Sequence, residues 1–197
     1  MPLSIHIDSQ GNPQGYVKAI RSLAFSPEAA HAVGQSAAEA WRENLRRKDR
    51  KGNRLGGERT HYWAKAAASV KAKVKSNRVQ LTASQVGLLQ HYKGGPITAK
   101  KARMLTIPVN PKAHAKSAGE IGGLSVIKSG KGSGAKLLLA KTENGSPRLE
   151  AYYLLRKSVM QEPDPTVVNE QEILDAGRRG LSEFLNTRRA TTGASLN

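Results

Sequence analysis

The chain has 197 residues, enough for one domain with its own core, but only 38% are hydrophobic and 5% aromatic, so Ala, Val, Leu and Ile must supply most of the packing. Lysine and arginine total 32 against 15 acidic residues, a net charge of +17 that selects negative partners, either polyanions or acidic protein faces. Disulfides and thiolate metal sites are excluded by the absence of cysteine, and no apolar run approaches the roughly 20 residues that span a bilayer.

The start, MPLSIHIDSQ, has neither the basic region nor the apolar stretch of a secretion signal, so a soluble protein made in the cytosol is expected, without membrane contact. Residues Leu3 to Ile7 alternate apolar and polar, the pattern of a half-buried strand, and Gly11-Asn12-Pro13 closes it with turn chemistry. A short helix over Tyr16 to Leu23 follows. Ser26, Pro27 and Glu28 then open the clearest helix: a capping hydroxyl, a proline preset for the first helical position, and an acid at the positive end of the dipole. It is expected to run to about Arg47. Its stripe of Ala29, Ala30, Val33, Ala37, Ala40, Trp41 and Leu45 is mostly small, so a neighbouring backbone can come close.

From Arg42 the polarity changes. The stretch RENLRRKDRKGNRLGGER, broken by Gly52, Gly56 and Gly57, predicts a helix end that runs into a basic loop over residues 46–59. THYWAKAAAS predicts a second helix, and VKAKVK and RVQLTA, on either side of Ser76-Asn77, predict a hairpin. QVGLLQHY reads as a short helix stopped by Gly94-Gly95-Pro96, and ARMLTIPV as a strand ended by Pro108. Residues Lys112 to Ile121 form a connection with at most one helical turn.

Three further strands are expected in GLSVIK, AKLLLAK and LEAYYLLRK, joined by the flexible Ser129–Gly134 loop and the Asn144-Gly145-Ser146-Pro147 turn. A final helix over Thr166 to about Leu185 would place Ile173, Leu174, Gly177, Leu181, Phe184 and Leu185 on one face. This order predicts an α+β fold: N-terminal helices, an antiparallel β-sheet meander and a closing C-terminal helix. It reads as a single domain over residues 1–187 with a flexible tail over 188–197.

Chemistry-bearing patterns are sparse. SGKGSGAKLLL lacks the spacing of a phosphate-binding loop and precedes a strand instead of opening a helix. His6, His31, His61, His91 and His114 are scattered singly, and no serine sits in a GxSxG elbow. Glu162, Asp164, Glu170, Glu172 and Asp175 gather around a helix start, where complementing the dipole explains them better than acid-base work. No catalytic centre, metal or cofactor is expected.

Cations carry the one strong signal. Arg42, Arg46, Arg47, Lys48, Arg50, Lys51, Arg54 and Arg59 form a dense block able to grip phosphates. The hairpin adds Lys71, Lys73, Lys75 and Arg78 on one face, either a solvated sheet face or an electrostatic docking surface. Lys100, Lys101 and Arg103 form a third group of candidate contacts. Base-specific reading is disfavoured, because no zinc-finger, RNP or homeodomain pattern is present and aromatics are few.

Between Trp41 and Val109 the features AWRENLRRKDRKGNRLGG, RTHYWAKAAASVKAKVKSNRVQLTASQVGLLQHYKGGPI and KKARMLTIPVNPKAHAK follow one another, and LEAYYLLRKSVMQEPDP precedes the closing helix. This ordered series, GG-x-I, K-x-x-x-LTIP, YYLL and PDP, resembles the virion morphogenesis and tail-completion proteins of Mu-like and related tailed bacteriophages. The resemblance covers most of the chain. It implies a non-catalytic neck subunit in the virion, forming a hexameric or dodecameric ring where head meets tail and contacting other neck, connector and tail proteins. Non-specific contact with DNA in the channel is a further expectation, and a basic nucleic-acid-binding protein is the alternative.

A ring subunit needs pairing edges, reaching loops and termini that order on assembly. On that reading the Gly52 to Gly57 loop, the Gly94 to Arg103 loop and the C-terminal tail make inter-ring contacts. Gly94, Gly95, Pro96, Ile97, Asp164 and Glu170 are the candidate subunit contacts, with basic loops of one copy meeting acidic helix starts of the next.

Overall fold

The structure, a computed structural model, describes residues 24, 26–51, 59–75, 78–130, 136–142 and 149–193. The strand expected at Leu3 to Ile7, the helix at Tyr16 to Leu23, the Gly52 to Gly57 loop, the hairpin turn and the turn at Asn144 to Pro147 lie outside those residues, as do residues 131–134 of the glycine-rich loop.

Among the described residues, five helices and eight strands follow in order. They are α1 (Pro27–Asp49), α2 (Tyr62–Ala68), β1 (Val70–Lys75), β2 (Arg78–Ala83), α3 (Leu88–Lys93), β3 (Gly95–Thr98) and β4 (Leu105–Pro108). A 3-10 turn (Pro111–Ala113) leads to α4 (Ala118–Ile121), β5 (Ser125–Ser129), β6 (Lys136–Thr142), β7 (Leu149–Arg156) and β8 (Ser158–Gln161). A second 3-10 turn (Pro165–Val167) precedes α5 (Glu170–Gly193). The fold is α+β, and among the described residues every strand pairs antiparallel. Among the described residues, no helix is long and apolar enough to cross a membrane. Two compact units make up the chain: Met1–Arg47, Trp63–Leu88 and Thr166–Asn197 in the first, Lys48–Tyr62 and Leu89–Pro165 in the second.

In the first unit α1 starts where its cap predicts. Ser26 Oγ accepts the Ala29 N–H at 3.1 Å, and the Ser26 carbonyl accepts that of Ala30. The helix ends at Asp49, two residues past the expected end, so Arg46, Arg47 and Lys48 lie on its last turns and not in a loop. Ala29, Ala30, Ala37, Ala38, Trp41 and Leu45 are buried. Asn44 is buried too, and its Nδ2 donates to the Thr166 carbonyl at 2.8 Å, while Trp41 Nε1 donates to that of Val167 at 2.9 Å.

Helix α5 packs on α1 through glycine. A Cβ on Gly180 would stand 2.3 Å from Ser36 Oγ and 2.9 Å from the Ala32 carbonyl; one on Gly177 would stand 3.2 Å from Val33 Cγ1. Of the expected apolar face, Gly177 is buried and Ile173, Leu181, Phe184 and Leu185 are half-buried, while Leu174 is 56% exposed; Ala176 and Gly180, outside that face, are buried as well. The helix also continues through residues 188–193, which were expected in the tail.

The hairpin β1–β2 pairs from Val70↔Ala83 to Lys75↔Arg78, as its alternation predicts. Its apolar face meets α1, since a Cβ on Gly34 would touch Val79 Cγ1 at 3.2 Å and Ala72 Cβ at 3.4 Å. Ser69 Oγ accepts the N–H groups of Ser84 and Gln85 and donates to the Ala66 carbonyl, which fastens the open end of the hairpin.

In the second unit a four-stranded sheet runs β4-β7-β6-β5, with a separate two-stranded ladder of β3 and β8. Tyr152, Tyr153 and Ala113 form the buried cluster, and Ala118, Ile121, Leu124 and Leu139 pack against it. Tyr153 Oη donates to the Lys116 carbonyl at 2.8 Å, so its polar end is satisfied. Helix α4 is a single turn fixed by a capping box, in which Ser117 and Glu120 bond each other's backbone N–H. The β3–β8 ladder is the element that pattern reading missed: four residues containing Pro96 fall below the length at which alternation shows.

Candidate functional site

The cations of the chain fall into two classes, and the division follows their partners. On the last turns of α1, Arg42 bonds Glu39 at 2.9 Å and the Val70 carbonyl at 3.0 Å. Arg46 bonds Glu39 at 2.6 Å and reaches Glu43 at 3.7 Å, and Arg47 meets Glu172 at 2.6 Å. Hydrogen bonds from Arg42 and then Arg46 hold the Glu39 carboxyl below the usual carboxylate range. In the second unit Lys48 bonds Asp164 at 2.8 Å, and Arg59 donates to the Arg50 carbonyl at 3.3 Å. Lys51 is exposed at the end of the described stretch, and Arg54 lies outside it. Much of the predicted basic block is thus engaged within the chain. Of the two acids expected to meet a neighbouring copy, Asp164 holds Lys48 of the same chain and Glu170, at the start of α5, is exposed; Glu172, two residues further on, holds Arg47.

The hairpin cations differ. Lys71, Lys73 and Lys75 alternate with half-buried Ala72 and Val74 and are exposed; the register sets Arg78 opposite Lys75, Gln80 opposite Lys73 and Thr82 opposite Lys71. All six side chains share one face of the ribbon. Among the described residues, none of the four cations has an ion-pair or hydrogen-bond partner for its side chain. Lys100, Lys101 and Arg103 are likewise exposed and unpaired, on the bends between β3 and β4.

Gly94, Gly95, Pro96 and Ile97 come together with Asp164 in the second unit. Gly95 to Ile97 enter the ladder with β8, opposite Gln161, Met160 and Val159. Gly94 has φ +68°, and a Cβ there would stand 2.6 Å from the Pro163 nitrogen and 2.7 Å from the Gln161 carbonyl, so only glycine fits. The Asp164 N–H donates to the His91 carbonyl at 2.9 Å.

His91 is the residue that sequence reading passed over. Its ring lies 5.1 Å from that of Tyr62, and its Nδ1 is 3.0 Å from Gln161 Nε2. An amide nitrogen only donates, so Nδ1 accepts and the neutral ring carries its proton on Nε2. Burial lowers its pKa, with Asp164 opposing and Lys48 assisting. A lone histidine in a polar sequence gives no pattern that would single it out. The Asp164 carboxylate thus bonds Lys48, and His91 Nδ1 receives the Gln161 amide.

The first unit has an open depression of about 510 Å³ beside His31, Glu39 and Arg42. Among the described residues, no group of three or more His, Asp or Glu side chains is placed to hold a metal ion. Comparison of the chain with protein-family models, with curated proteins and with solved structures found no match.

Proposed function

We propose that the chain is a non-catalytic structural subunit of a tailed-phage neck, a tail-completion, terminator or connector protein that forms a hexameric or dodecameric ring joining head to tail. One observation carries this reading: the motif series that resembles the family folds onto itself. LTIP is the ladder partner of YYLL, with Thr106 opposite Leu155, Ile107 opposite Leu154 and Pro108 opposite Tyr153. Gly94 packs on Pro163 at the start of PDP. Motifs about 50 to 70 positions apart in sequence thus meet in pairs, as parts of one structural signature would.

Assembly chemistry is consistent with this. Strand β5 lies at the edge of the four-stranded sheet with Val126 62% exposed, and an edge of that kind can add a strand from a neighbour. Partners on this reading are other copies of the chain and the neck, connector and tail proteins, in a virion made in the bacterial cytoplasm. Quantitative mass spectrometry of purified virions of a phage encoding the chain tests it. Six or twelve copies per particle are expected; particles lacking the chain would refute the proposal. The second reading, a basic nucleic-acid-binding protein, is favoured by the unpaired hairpin cations.

A further inference from the structure

The geometry points to the exposed face of the β1–β2 hairpin as a docking surface for the sugar-phosphate backbone of duplex DNA, held by charge and without base recognition. The inference does not rest on ring assembly.

Availability is the first argument. A net charge of +17 says nothing about which cations can meet a ligand. Arg42, Arg46, Arg47 and Lys48 already hold carboxylates, and a phosphate would have to displace them. Among the described residues, Lys71, Lys73, Lys75 and Arg78 have no such competitor.

Spacing is the second. At a rise of about 3.3 Å per residue, alternate lysines stand roughly 6.7 Å apart, and Arg78 lies one strand spacing from Lys75, about 4.8 Å away. Each strand of B-DNA carries a phosphate per roughly 3.4 Å of axis, so flexible lysine stems on this row can each reach a separate phosphate.

The third argument is what the face lacks. Gln80 and Thr82 fill its remaining positions, and both donate well to phosphate oxygens. It has no carboxylate to repel a polyanion. No aromatic ring is present to stack an unpaired base, which favours duplex over single strand. Nor is there an apolar anchor of the kind that carries protein interfaces, which favours a polyanion over an acidic protein. The row is also held firmly, by the Ser69 bonds at its open end and by Val79 and Ala72 against Gly34 behind it.

The test uses the full chain and a random-sequence duplex of about 25 base pairs, with binding followed by fluorescence anisotropy from 50 to 300 mM KCl. The triple variant Lys71→Gln, Lys73→Gln, Lys75→Gln is expected to flatten the plot of log affinity against log salt by about 2 to 3, near 0.9 per lost contact, and to weaken binding at 0.1 M salt by roughly 100-fold. Arginine at the same three positions should restore both. A charge-matched control, Lys93→Gln, Lys116→Gln, Lys157→Gln, alters exposed residues of the second unit and should change the slope by less than about 1. Unchanged far-UV circular dichroism confirms that each variant is folded. The proposal is overturned if the chain does not bind duplex DNA, if the hairpin triple keeps the wild-type slope, if the control loses as much, or if polyglutamate or single strands of equal length compete as well as duplex.

Discussion

The two compact units answer a shortage of bulky side chains in opposite ways. The first brings backbones together, with α5 resting its glycines on α1 and Gly34 admitting the hairpin. The second places two of the chain's five tyrosines, Tyr152 and Tyr153, next to each other on the sheet strand β7 and packs aliphatic residues around them. In one unit stability depends on atoms that are missing, in the other on two large rings. Substitutions should therefore act in opposite directions: removal of bulk harms the second unit, and addition of bulk harms the first.

The largest effect is expected at Tyr153, which is 1% exposed. Tyr153→Ala should cost about 4 kcal/mol in urea unfolding followed by far-UV circular dichroism, the range for deletion of a buried aromatic. Tyr153→Phe, which loses only the hydroxyl and its bonds to the Lys116 and Ala113 carbonyls, should cost about 1 kcal/mol. If the two variants were equally stable, the hydrogen bond and not the ring would be what matters.

A smaller, opposite effect is expected where bulk is added. Gly180→Ala drives a methyl against Ser36 and the Ala32 carbonyl and should cost about 2 kcal/mol, although alanine is the better helix former. Gly177→Ala meets only the Val33 methyl at 3.2 Å, so strain and the gain in helix propensity offset to within about 1 kcal/mol. Both tryptophans, Trp41 and Trp63, belong to the first unit, so their fluorescence reports the change where it occurs. Equal stability of the two glycine variants would remove close approach as the principle of that unit.

Local features of the fold were legible in the sequence because their causes are local. Ser26 caps α1 through its own hydroxyl, and the alternation of VKAKVK sets which residues face out once the hairpin closes. Features that depend on distant partners were not. Leu174 reads as core by period yet is exposed, while Gly180, outside the expected face, makes the closest approach to α1. The β3–β8 ladder joins residues 60 to 66 apart through strands of four. The cation block shows the limit most clearly: its charge can be counted from sequence, but Arg47 meets a glutamate 125 residues away, so which cations remain available emerges only from the fold.

The smallest effect separates the units by pH. Burial lowers the pKa of His91 below its ordinary value near 6.5, so the folded second unit binds that proton less readily than the unfolded chain does. Where the unfolded state binds more protons, stability falls as pH falls. His91 therefore contributes full stability above about pH 6.5 and loses it progressively below, until the folded-state pKa is passed and the slope ends. In the first unit Glu39 is shifted down by Arg42 and Arg46, so its contribution is present above about pH 4.5 and disappears only at lower pH. A decline between pH 6.5 and 5 should consequently belong to His91. His91→Gln should flatten that limb and leave the acid limb below pH 4.5 in place, as read by urea midpoints across the range. If the variant keeps the upper limb, protonation of His91 does not open the contact with Gln161.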